Sequence, residues 1–160
     1  MKLSSEMDDF METCIDGART QLVETGMVEA VVFFRPQSEP DIPGNKSELP
    51  AMGMIPCSSA KDTDDWYYRI GEIIKRVGAK FSIMVAIADA TPLDNGHDTK
   101  PCISVVGVEY DTQGLIMRTR SFIQFFEEGR TGDYKFEEVT EIAESNGTRL
   151  EEVTARTDLA

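Results

Sequence analysis

Apolar residues at Leu3, Met7, Phe10, Met11, Cys14, Ala18 and Leu22 recur at steps of three and four, which places them on one face of a helix. The spacing predicts that helix over residues 4–25, closing the N-terminal segment 1–26. Acidic residues crowd its first half, where the positive end of the helix dipole favours them. Gly26 stands where a C-terminal cap belongs, and Gly17 in the middle costs about 1 kcal/mol relative to alanine. Residues 28–34 (VEAVVFF) are β-branched and aromatic and read as a buried strand ended by Pro36.

Residues 36–60 carry five prolines and read as an irregular loop, within which residues 51–55 (AMGMI) supply a short edge strand. A second helix opens at residues 58–62, with a serine or Asp62 as its cap, turns Trp66, Ile70, Ile73, Ile74 and Val77 inward, and ends at Gly78. Residues 81–88 (FSIMVAIA) are apolar on both faces and predict the central strand. A loop follows at 89–101 around the turn dipeptide Asn95-Gly96. Residues 102–110 and 115–126 form a hairpin closed by Asp111-Thr112-Gln113-Gly114, with Gly114 at a positive φ. Gly107 marks a bulge or a close packing approach. Residues 134–142 suit an edge strand or a helical face equally, and 155–160 form a frayed tail.

This order predicts one α+β domain over 1–160: a mostly antiparallel sheet of five to six strands with two helices packed on one face. The segments AVVFF, AMGMIP, WYYRIGEIIKRVG, KFSIMVAIADATP and ISVVGVEYDTQGLIMRTRSF follow a layout that resembles small phage and prokaryotic proteins. The resemblance implies the same antiparallel α+β architecture and brings no activity with it.

Composition narrows the functional classes. In 160 residues, 29 acidic groups face 16 basic ones, a net charge of -13. A field of that sign opposes direct binding to nucleic acid and to anionic membranes, and attracts basic partners. The alternative is that acidity serves solubility alone. Three spaced cysteines, Cys14, Cys57 and Cys102, form neither a disulfide framework nor a C-x-x-C motif. The first residues lack the basic and apolar regions of a signal peptide, and no apolar run reaches membrane-spanning length; the expected location is the cytoplasm.

Candidate chemistry centres on the single histidine. His97, Asp98 and Asp89, at the end of the central strand, are weak candidates for a metal-dependent or hydrolytic site in the 89–102 loop. A thiol nucleophile would need Cys57, at a helix start, or Cys102 beside His97, without a recognised motif around either. Asp62, Asp64 and Asp65 lack the glycine and distal glutamate of a calcium loop and read as acids favoured at a helix start. Trp66, Tyr67 and Tyr68 cannot all face inward. Phe122, Phe125 and Phe126 mark an interface if two of them are exposed. Arg118 and Arg120 share a strand face and answer acids such as Glu109 across the hairpin.

No phosphate-cradling motif occurs, so no cofactor and no resident metal are expected. The leading expectation is a non-enzymatic accessory protein that binds a protein partner, a basic one by charge. One variant is a decoy that mimics phosphate spacing. A small metal-dependent or hydrolytic enzyme is the alternative, and self-association through the first helix is a third reading.

Overall fold

The structure, a computed structural model, describes residues 5–37, 52–91 and 98–142. The first helix, α1, spans Glu6–Thr25. Ser5 caps it reciprocally: its hydroxyl accepts from the Asp8 amide at 3.2 Å, and the Asp8 carboxylate accepts from the Ser5 amide at 3.2 Å. Gly26 ends it in the left-handed region at φ 78°. Met7, Met11, Cys14, Ile15, Ala18 and Leu22 are buried, as the periodicity requires, with Phe10 half-buried beside them.

Strand β1 (Val31–Pro36) pairs antiparallel with β2 (Gly53–Pro56) on one side and β3 (Ala79–Ala90) on the other. Since β2 and β3 both run against β1, they are parallel to each other, joined through a 3-10 turn at Cys57–Ser59 and helix α2 (Thr63–Val77). Asp62 caps α2, its carboxylate accepting from the Asp65 amide at 2.8 Å. Strands β4 (Lys100–Tyr110) and β5 (Ile116–Glu128) continue the sheet as the predicted hairpin, with Gly114 at φ 85°. The Asp111 carboxylate holds the turn by accepting from the amides of Gln113 and Leu115 at 2.8 and 2.9 Å.

Residues 134–142 are strand, not helix. They form β6 (Tyr134–Phe136) and β7 (Thr140–Ile142), two pieces that lie end to end along the same edge of β5. Between them the Glu137 amide still donates to the Phe125 carbonyl at 2.9 Å, and the Gln124 side chain donates to the Glu137 carbonyl at 2.8 Å. Among the described residues the strand order is β2-β1-β3-β4-β5-β6 with β7 also on β5, seven strands and every pairing antiparallel.

The helices do not share a face. Helix α1 packs with Phe81, Ile83 and Val85 of β3 and Ile103 and Val105 of β4. Helix α2, through Trp66, Ile70 and Ile74, packs with Val32, Val106, Val108 and Tyr110. Those strand positions alternate, and side chains two residues apart point the same way, so the two clusters lie on opposite sides of the sheet. The reason lies in β3 and β4, which are apolar on both faces and leave neither to water. Two polar bonds fix the α2 side: Trp66 Nε1 to the Ile55 carbonyl at 3.0 Å, and the Ser82 and Tyr110 hydroxyls at 2.9 Å.

Gly107 sits in unbroken register between Ile83 and Arg120, so it forms no bulge. It is the close approach: a Cβ there would meet Met11 Sδ at 2.6 Å and Met7 Sδ at 3.0 Å. Gly107→Val is therefore expected to lose about 1–3 kcal/mol through overpacking beneath α1. Gly107→Ala should lose less, because thioether ends can swing aside. Urea unfolding of both variants checks the order, and a valine variant as stable as the parent would contradict this packing.

Candidate functional site

The first turn of α1 carries Glu6, Asp8 and Asp9, and the helical rotation of about 100° per residue separates their fates. Asp8 turns toward the sheet, and its side chain keeps only 14% of its exposure. There its carboxylate meets both arginines of β5, Arg118 Nη2 at 3.0 Å and Arg120 Nη1 at 2.7 Å. Arg118 also donates to the Ser5 hydroxyl at 2.7 Å, and its Nε lies 3.6 Å from Glu109, the cross-strand partner expected from the hairpin register. Arg120 grips Glu141 of β7 bidentately, Nε and Nη2 donating at 2.8 and 2.9 Å, and its guanidinium lies 4.7 Å from the centre of the Phe122 ring. Glu6 holds Arg35 of β1, and Lys80 of β3 at 3.4 Å.

Beside this network, between α1 and the β5–β7 edge, runs an open cleft of about 980 Å³. Asp9, Glu12 and Asp16 form its helical wall, spaced so that their side chains share one stripe. Arg118, Arg120, Phe122, Val139 and Glu141 line the sheet side. Five carboxylates and three guanidiniums line the cleft, which leaves it net negative. The guanidiniums are held within the protein, Arg19 by Asp16 and the other two by the network above. Asp9 and Glu12 have no cation within salt-bridge distance among the described residues.

Burial pushes the Asp8 carboxyl up, but hydrogen bonds from Arg120 and Ser5 and the charge of Arg118 outweigh it and hold the group at about 2. The hydrogen bond to Arg120 likewise lowers Glu141, and Glu141 followed by Asp8 raises Arg120. A carboxyl so far below neutrality exchanges protons poorly near pH 7.

The residues proposed for catalysis stand apart from this cleft. Asp89 is exposed at the end of β3 opposite Pro101, Asp98 is exposed beyond it, and His97 lies outside the described residues. Among the described residues no three of His, Cys, Asp or Glu are placed to hold a metal ion. Cys57 is not at the start of α2, which begins at Thr63. Cys102 is fully buried, and burial followed by the charge of Asp89 pushes its thiol up. Burial likewise raises Cys14 to about 12, in keeping with a small core residue on the α1 stripe. Of the aromatics, Trp66 is buried, Tyr67 half-buried and Tyr68 68% exposed. Phe125 and Phe126 are buried and Phe122 half-buried, so the condition for an interface there is not met. No helix among the described residues is long and apolar enough to cross a membrane.

Sequence reasoning paired Arg118 with Glu109 but missed Asp8 and Glu141 as partners and missed the cleft. The available signal was Arg118 and Arg120 at alternate positions of one strand, two cations on one face that call for more than one carboxylate. Neither a protein family, a curated protein nor a solved structure matches this chain.

Asp8→Asn keeps an acceptor for the Ser5 amide while removing the charge that both arginines share. At pH 7 the variant is expected to lose about 1.5–3 kcal/mol, the range for hydrogen bonds to charged groups. The folded carboxyl titrates below the unfolded one, so its stabilisation is complete above the unfolded value of about 3.9 and disappears as pH falls through about 2. The two stability curves should therefore converge between about pH 4 and pH 2. Denaturant unfolding across that range checks it; a constant gap would mean that the charge of Asp8 is not what binds β5.

Proposed function

We propose that this chain is a non-catalytic binding protein that docks a basic protein partner along the α1 wall of the cleft. The observation that carries the reading is the unequal state of the charges. Every guanidinium in the cleft is held by the protein's own carboxylates, whereas Asp9 and Glu12 face open space with no cation beside them among the described residues. A surface of that kind gains Coulomb energy from an incoming lysine or arginine without first breaking an ion pair. The net charge of -13 supports it by steering cationic partners over longer range.

A lysine-rich peptide titrated against the protein by fluorescence anisotropy tests this. Binding is expected at about 0.05 M salt and should weaken by roughly tenfold or more at about 0.5 M, as exposed charges are screened. The double variant Asp9→Asn, Glu12→Gln should weaken it by about fivefold, roughly 1 kcal/mol. Neutralising Asp133 on the β5–β6 turn should leave it unchanged. Equal losses at both places would reduce the effect to net charge and remove the cleft from the reading.

A further inference from the structure

The α1 side of the sheet is half covered. Helix α1 lies over β3 and β4, and at its C-terminal end the rings of Phe126, Tyr134 and Phe136 pack against the same core, with the Tyr134 hydroxyl near Gly26. Along the N-terminal half of α1, the face of β5 and β7 is the floor of the cleft and carries no layer of its own among the described residues. Two neighbouring strands are about 10 Å wide, and two packed helices lie about 8–10 Å apart. A helix packed beside α1 at that distance would therefore sit over β5 and β7.

We propose that the cleft receives an amphipathic basic helix of the partner, laid alongside α1 over β5 and β7. This rests on the docking reading above and names the form of its occupant. The two wall acids without a cation among the described residues are helically spaced: Asp9 and Glu12 lie three residues apart on α1, about 4.5 Å along the axis, whereas Asp16 is already held by Arg19. Basic residues three apart on a neighbouring helix match that rise, whereas two alternate residues of a strand lie about 6.6 Å apart. The floor supplies apolar contact through Phe122 and Val139, the latter 39% exposed. Arg118 and Arg120 do not repel the occupant because Asp8, Glu109 and Glu141 neutralise them. Strand addition is disfavoured at this edge, since β6 and β7 are three residues each and the residues between them break the ladder.

Three labelled peptides of about four helical turns test the proposal: one with lysine on one face and leucine on the other, one of the same composition interrupted by prolines, and one with glutamate for lysine. The helical basic peptide is expected to bind the full chain about tenfold more tightly than the proline peptide, and the acidic one not at all. Val139→Trp fills the floor without changing charge and should weaken the helical peptide about tenfold while sparing the proline peptide. Amide resonances of Arg120, Phe122 and Glu141 in the unaltered protein should shift on adding the helical peptide, a readout independent of the variant's folding. If both basic peptides bind equally, or Val139→Trp and those resonances are indifferent, the helical occupant is wrong and acidic docking survives. If neither basic peptide binds, the docking reading falls with it. Self-association that Val139→Trp abolishes, seen by sedimentation, would assign the cleft to a second copy and overturn the proposal.

Discussion

The carboxylate of Asp8 fixes how α1 meets the sheet. It is the N3 member of the capping box opened by Ser5, so its position is set by the helix start, and it is largely removed from water, so it must be compensated. Arg118 and Arg120 provide that compensation from alternate positions of β5, and Arg120 passes the link on to Glu141 of β7. Glu6 ties the same turn to β1 and β3. Ion pairs thus anchor the N-terminal turn of α1 at several strands, while Met7, Met11, Cys14, Ala18 and Leu22 anchor its length through apolar contact. The charged link holds α1 beside β5, and the cleft opens between them.

That arrangement explains why two adjacent acids in one sequence have different roles. Asp8 is an internal structural charge; Asp9, a third of a turn away, faces the cleft with no partner among the described residues. Composition sees two aspartates at a helix start, and the dipole argument treats them alike. Only the position of β5, brought there by a chain segment more than a hundred residues later, separates them. The carboxylates that remain unpaired on α1 are a tertiary property of the fold.

Local chemistry made much of the fold legible. The stripe on α1, the Gly26 and Gly78 stops, the apolar run of β3 and the Asp111–Gly114 turn all act within a few residues, and the structure has each of them. Residues 134–142 were ambiguous because strands of three residues are too short for alternation to declare itself. The placement of both helices on one face failed for a different reason. The sequence of β3 already showed apolar residues on both sides, and β4 repeats it with Ile103 and Val105 against Val106 and Val108. Antiparallel pairing by itself suggests one solvated face, but two-sided apolarity within the central strands is the stronger constraint. The cleft could not be read because it depends on which strand lies beyond the edge of α1.

The excess of acidic residues does not act as one quantity. Charges bound into the α1–β5 network contribute little to the outer field, because each has its counter-charge within hydrogen-bond distance. Asp9 and Glu12, one helical turn apart, repel each other instead and concentrate potential along a single wall. A cation arriving there relieves that repulsion, which makes the polar part of the proposed docking sensitive to salt. Contact with Phe122 and Val139 removes apolar surface from water and is not screened. In the docking we propose, charge accordingly sets which partners approach, and the shape of the floor sets which of them stay.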